Sequence, residues 1–243
     1  MILAVSIGNT NIRVAAGLLS IVFYANEDNL IEKIEAGLGP VWDKIEKSII
    51  ASVVPEKTDM IVTALECKTR KPVRRINIKN CGNLRTDRYN GLVGEDRVVC
   101  CAAALYKFTA PLVVIDYGTA TTVNVVNRDG EFIGGAILPG LMTGLDALAH
   151  NTAQLPQIEK IEGTVKLIGK NTVENLQSGA VIGQACAVEG FIRRIEKELG
   201  QKISVIVTGG HAPDILPYCQ FECVHEPALL LEGLLALGAQ SDT

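Results

Sequence analysis

The chain has 243 residues, enough for one large domain or two smaller ones with separate cores. With 48% hydrophobic and 21% charged residues it reads as an ordinary soluble globular protein, and no apolar run approaches the roughly 18 residues that span a bilayer. The formal net charge of -4 gives polyanions no general attraction, so nucleic-acid binding is not expected. Seven cysteines without a regular framework, and an N-terminus lacking a basic start and a cleavable apolar segment, point to a reduced cytoplasmic setting.

In chain order, residues 2–14 (ILAVSIGNTNIRV) read as a strand, a small-residue turn and a second β-rich run. A stretch at 26–47 has helical charge spacing, 48–54 reads as a strand, 56–67 as a helix and 73–78 as a strand. Residues 95–106 have an apolar, alanine-rich helical pattern. Residues 112–124 (LVVIDYGTATTVN) then repeat the opening hairpin. Aligned without gaps at an offset of 110, Ser6 falls on Asp116, Gly8 on Gly118 and Asn9 on Thr119. A strand follows at 131–138, and a long amphipathic helix at 171–199 opens with Asn171 and Glu174 at capping-box spacing and stops at Gly200. Residues 203–213 (ISVIVTGGHAP) form a buried strand ending in Thr208-Gly209-Gly210, where glycine lets a nucleotide lie against backbone.

Gly/Thr bends of this kind can surround a phosphate, because turn N–H groups lack a ladder partner and glycine permits close approach. Two of them at matching positions predict an α/β protein of two duplicated lobes, 1–110 and 111–243, with a cleft between them and a hinge near Ala110–Pro111. Gly169-Lys170 is not a P-loop, since position 164 is Thr and Lys170 is followed by Asn. Cys219, Cys223, His225 and Glu226 lack the paired short spacing of a zinc site.

The ordered set IGNTN, GEDR (94–97), DYGTATT (116–122), GGAILPG (134–140), IGKNT (168–172) and TGGHAP (208–213) resembles the type III pantothenate kinases over nearly the whole chain. The resemblance implies two ribonuclease-H-like lobes of the actin-like ATPase fold and transfer of phosphate from ATP to pantothenate, the first step of coenzyme A synthesis. It also implies Mg2+, a monovalent cation (K+ or NH4+) and a homodimer with shared active sites.

By that resemblance Asp96 is the catalytic carboxylate that takes the proton of the pantothenate hydroxyl, and Tyr89, Gly94, Glu95, Asp96, Arg97 and Thr172 bind substrate, Thr172 from the partner subunit. A guanidinium such as that of Arg97 suits a carboxylate because its donors come in pairs. Ser6, Ile7, Gly8, Asn9, Thr10, Asn11, Ile12 and Arg13 bind ATP together with Thr119, Gly209 and Gly210, and Asp116 holds the monovalent cation. Each has a plainer reading: Asp96 as a helix-start acid favoured by the macrodipole, Arg97 as a surface ion pair, Asp116 as a turn former, Thr172 as a helix-start hydroxyl, Tyr89 as a packed loop aromatic. Gly179, Gly183 and Ala187, at four-residue spacing, let a neighbouring element approach the long helix, either within the lobe or from a second protomer.

The chain departs from the family at two places. The loop Tyr89-Asn90-Gly91-Leu92-Val93 is short and lacks the family's proline, which leaves the phosphoryl acceptor open. Ser6 stands where the family has an acid near the transferring phosphate and its Mg2+, a loss worth about 3 kcal/mol or a hundredfold in rate. The sequence therefore leaves two functions standing: a pantothenate kinase that tolerates Ser6, and a repurposed relative that binds nucleotide as a regulator or phosphorylates another small alcohol. A third class, nucleic-acid binding, rests on residues 68–88, where eight basic residues face one acid.

Overall fold

A computed structural model describes residues 1–240. The chain forms two compact units, Met1–Lys107 together with the segment from Ala228, and Phe108–Pro227. The break after Lys107 lies close to the expected hinge, but the division at 110 assigned the final helix to the second lobe, and it belongs to the first unit.

The first unit runs β1 (Ile2–Ile7), β2 (Asn11–Ala16), β3 (Leu19–Tyr24), α1 (Leu30–Leu38), β4 (Lys47–Ser52), α2 (Pro55–Thr69), β5 (Val73–Arg75) and α3 (Glu95–Lys107). The helical charge pattern of 26–47 yields only the nine residues of α1, because Gly39 turns to φ 50 and a 3-10 segment, Gly39–Lys44 with Pro40 in its first turn, follows. Proline at the first position of α2 suits a helix start, where its missing N–H has no intrahelical acceptor.

The second unit runs β6 (Leu112–Tyr117), β7 (Ala120–Val126), β8 (Phe132–Pro139), α4 (Leu141–Asn151), α5 (Thr172–Leu199), β9 (Ser204–Thr208), the single turn α6 (Ala212–Ile215) and β10 (Val224–His225). α5 is capped as expected: Asn171 Oδ1 accepts from Glu174 N at 2.9 Å, and Gly200 closes the helix at φ 66. The chain then re-enters the first unit as α7 (Leu229–Ala239). α7 packs closely on α3 at Gly233, where a β-carbon would lie 2.7 Å from Ala103 Cβ.

Both units carry the same five-stranded sheet, ordered β3-β2-β1-β4-β5 and β8-β7-β6-β9-β10. In each, the first strand pairs antiparallel with the second and parallel with the fourth. The duplication expected from the two hairpins thus extends to whole sheets. The gapless offset does not survive the bend. Ile7 pairs with Ile12 across four intervening residues, whereas Tyr117 pairs with Thr121 across three, so beyond the turn Arg13 matches Thr122. Alternation along the strands separates the faces. Leu3, Val5, Ile7, Ile12 and Val14 enter one core with α1 and α2 residues, and Val113, Ile115, Tyr117, Val123 and Val125 enter the other with α5 residues.

Candidate functional site

In the first unit, the parallel strands β1 and β4 end side by side at Ile7 and Ser52. Ile7 and Ile12 are 1% and 0% exposed and belong to the core, so of the expected nucleotide contacts these two offer only backbone. Gly8 N–H closes the bend on Asn11 O at 2.9 Å, and Asn9 and Thr10 are exposed at its tip. Ser6 points to the opposite face from Ile7 and is 6% exposed. Arg13, its cross-strand partner, is on that same face and half-buried.

The Gly94–Arg97 segment forms the start of α3. Glu95 Oε2 accepts the Ser52 N–H at 2.7 Å, which ties this helix start to the end of β4, a link the sequence did not indicate. Asp96 Oδ1 accepts the N–H of Arg97 at 2.8 Å, and a β-carbon on Gly94 would come within 2.6 Å of that oxygen. A side chain at position 94 would have to displace the Asp96 carboxylate from this position. Burial pushes both carboxyls up; for Asp96 the Arg97 N–H bond and the Arg97 and Arg13 charges pull partly back, and for Glu95 the Ser52 bond does so. A desolvated carboxylate with one oxygen fixed by a backbone N–H has the chemistry to accept a proton in one orientation. Tyr89 lies in the coil before α3, half-buried, with its N–H on Thr86 O at 3.1 Å.

In the second unit, Asp116, Gly118, Thr119 and Gly209 come together where β6 and β9 end. A β-carbon on Gly209, whose φ is +101, would lie 2.4 Å from Tyr117 N and 2.5 Å from Asp116 Oδ1, and one on Gly118 would lie 3.4 Å from the same oxygen. The Asp116 carboxylate is thus framed by two glycines. Gly140, quoted in the sequence only as part of a motif, fixes this bend: its N–H reaches Thr119 O at 3.1 Å, and its own β-carbon would sit 2.3 Å from two backbone carbonyls of the bend. Thr143 Oγ1 donates to the same carbonyl at 2.7 Å. Gly210 is exposed just beyond Gly209. Thr121 is buried and donates to Gln184 Oε1 at 2.5 Å, so it is a structural strand residue. Thr172 is exposed at the first turn of α5.

These donors treat the two implied metal ions differently. A carboxylate framed by glycines at a strand end, beside backbone carbonyls, fits a monovalent cation at Asp116. At the end of β1 the family's carboxylate is Ser6, its neighbour is a cation, and Glu95 and Asp96 each have an oxygen engaged by backbone N–H. That set does not fit a hard divalent ion, which takes oxygen ligands and is repelled by a guanidinium.

The basic stretch 68–88 is largely tied into the fold. Lys68 pairs with Glu35 at 2.7 Å, Arg75 with Asp59 at 2.7 Å and Arg85 with Asp87 at 3.4 Å, and Arg74 donates to Leu237 O at 3.0 Å. Among the described residues no helix is long and apolar enough to cross a membrane.

Comparison with known proteins agrees with this architecture. The family model for type III pantothenate kinase matches residues 2–194. A type III pantothenate kinase of Rhodococcus jostii is 49% identical over 146 residues, 58% of this chain but only about half (54%) of that relative's length. One from Persephonella marina is 38% identical over 79% of this chain and 75% of its own, and one from Roseiflexus sp. is 34% identical over 96% of each. Among solved structures, a Campylobacter jejuni protein assigned to the Baf family of transcriptional activators gives a TM-score of 0.64 at 18% identity, covering 97% of this chain and 96% of that one. An archaeal actin homolog gives 0.51 at 13% identity over 99% of both chains. At such identities these structures speak for the fold alone, and it is the actin-like one. The family model and the end-to-end relatives settle the rest: the chain belongs to the type III pantothenate kinase family.

Proposed function

We propose that the protein transfers the γ-phosphoryl group of ATP to the hydroxyl of pantothenate, giving 4'-phosphopantothenate and ADP. The observation that carries this is Asp96, desolvated at the first turn of α3, with Oδ1 fixed by the Arg97 N–H inside the family's G-x-D-R sequence. Asp96 Oδ2 accepts the hydroxyl proton as the alcohol oxygen bonds to the γ-phosphorus and the bond to the β–γ bridging oxygen breaks, with ADP as leaving group. Arg97 and Tyr89 hold the substrate's carboxylate end.

The Gly8–Thr10 bend, with Ser6 and Arg13, and the Thr119 bend with Gly209 and Gly210 bind the nucleotide. Asp116 holds a K+ or NH4+ ion, whose charge offsets the repulsion between this carboxylate and the phosphates. ATP arrives as its Mg2+ complex, and no carboxylate of β1 anchors that ion. The protein works in the cytoplasm.

The assembly we propose is a homodimer. α4 and α5 flank an apolar groove of about 390 Å³ lined in part by Gly179, Gly183 and Ala187. A β-carbon at Gly179 or Gly183 would meet nothing within 4 Å, so the small-residue face leaves room for another element. A second copy seated there would bring Thr172 to its partner's substrate. Light scattering should give twice 26.0 kDa.

The decisive assay mixes purified protein, ATP, Mg2+, K+ and pantothenate, and follows phosphopantothenate by mass spectrometry. Product from the wild type and its loss in Asp96→Asn are expected. No product under K+ or NH4+ would overturn the reading in favour of a repurposed relative.

A further inference from the structure

The two hairpins put opposite charges at one structural position. In the second unit, the residue before the last of β6 is Asp116, facing Thr122 across the ladder and Thr208 on β9. In the first unit the corresponding residue is Ser6, facing Arg13 and Ala51. Directly opposed residues of an antiparallel pair place their β-carbons about 5 Å apart on one face, so the Arg13 side chain starts beside the position that the family gives to an acid.

The surroundings leave that guanidinium available. Its strand neighbours Ile12 and Val14 turn into the core on the other face, and Ala4 and Ala15, a small pair, are next along its own face. Among the described residues no carboxylate lies within ion-pairing distance of Arg13. Of the carboxylates near it, Glu95 has one oxygen on Ser52 N and Asp96 has Oδ1 on Arg97 N, and the Arg13 charge acts on Asp96 without a direct ion pair. Beside it is the Gly8–Thr10 bend, exposed at Asn9 and Thr10. Bend amides and a guanidinium are both donors, and together they select an anion and disfavour a cation.

We infer that the first hairpin grips phosphoryl oxygens directly through Arg13, so that the protein binds a nucleoside triphosphate without needing a divalent ion at this hairpin. The inference rests on the reading of this bend as a nucleotide site, and it alters what that site recognises: the bare polyphosphate, with Ser6 and Arg13 as the residues that set the preference. It also predicts how the preference is reversed. Aspartate at position 6 would pair with Arg13, withdraw it from the phosphate and restore an oxygen ligand for a metal.

Calorimetric titration with a non-hydrolysable ATP analogue, in EDTA and separately in Mg2+, tests this on the whole protein. The wild type should bind with affinities within about threefold in the two buffers. Arg13→Met should lose about tenfold or more in EDTA, the scale of one charge-assisted contact, and less in Mg2+. Ser6→Asp should bind at least tenfold more tightly with Mg2+ than without. Wild-type binding that disappears in EDTA overturns the inference with no variant required, as does unchanged EDTA affinity in a folded Arg13→Met. Phosphopantothenate formation is read separately: an inert protein that still binds the analogue in EDTA sinks the proposed kinase reaction and leaves this inference standing, and an active kinase that needs Mg2+ to bind does the reverse.

Discussion

The two sheets share strand order, pairing direction and hairpin, yet their bends are built differently. The second bend has three residues and is braced on several sides: Gly140 N–H and Thr143 Oγ1 share the Thr119 carbonyl, and Gly209 passes directly beneath Tyr117 N. The first bend has four residues, and at Gly8 the nearest atom to an added β-carbon is Asn11 O at 3.0 Å. The first unit puts its constraint at the start of α3, where Glu95 bridges to β4 and Gly94 makes room for Asp96. One duplicated fold thus serves two purposes, a rigid cradle around an acid in one unit and a held carboxylate, the proposed general base, beside a more open, basic bend in the other.

The largest expected effect tests the second of those purposes. Asp96→Asn keeps the shape and removes the base, and should lower kcat/KM by about 10²- to 10⁴-fold. Because burial raises the Asp96 carboxyl, the wild-type acid limb should lie above the ordinary aspartate value of about 3.9, with activity lost as Asp96 takes up its proton. The same raised affinity for a proton means that Asp96 favours folding at low pH and loses that contribution as pH rises through its folded pKa. Asparagine has no charge to desolvate, so at pH 7 the variant should melt higher than the wild type while being inactive. A variant that is both inactive and less stable would mark Asp96 as a structural residue.

Next in size is the contrast in rigidity. Gly209→Ala puts a methyl group into backbone at a φ that L residues avoid and should cost about 3 kcal/mol by denaturant melting. Gly8→Ala brings a methyl group 3.0 Å from one backbone carbonyl, tight but at a φ that L residues adopt, and should cost about 1 kcal/mol. Equal losses would break the comparison. Smaller again is Asp116→Asn, which should raise the K+ concentration for half-maximal activity about tenfold, equivalent to about 1.4 kcal/mol. A K+ response unchanged in that variant would place the cation elsewhere.

Much of this was legible in the sequence because it depends on local patterns. Alternating apolar residues fixed both hairpins, and Asn171, Glu174 and Gly200 fixed the ends of α5 to within a residue. The rest depends on contacts between distant segments. α7 (LLLEGLLALGA) has no polar stripe to give it period, since seven of its residues are buried, and its return to the first unit follows from packing against α3. The one-residue difference between the bends is invisible to a gapless comparison, so Arg13 was matched to Val123 when its counterpart is Thr122. The Ser6–Arg13 pairing emerges only from strand register. The substrate-side residues were recognised as a motif, but the bond from Ser52 to Glu95 that positions them joins residues 43 apart.

The smallest effect separates the helices that cross over each sheet. α1 and α5 connect the third strand to the fourth in their respective units, and both begin after asparagine. Asn171 is extended at ψ 170 and caps Glu174 N, whereas Asn29 sits at φ 54 and makes no capping bond with its side chain. Alanine should cost about 1 kcal/mol at each, for different reasons: a lost acceptor at 171 and left-handed strain at 29. Aspartate separates the two causes. At 171 it keeps the acceptor and adds a charge that the helix dipole favours, so stability should stay within about 0.5 kcal/mol of wild type. At 29 it offers no bond that the native residue makes, so the variant that relieves Asn29 is glycine, which adopts that φ without strain and should gain a few tenths of a kcal/mol. Gain at 171 and loss at 29 on glycine substitution would show that the crossovers are held in the opposite way from the one described.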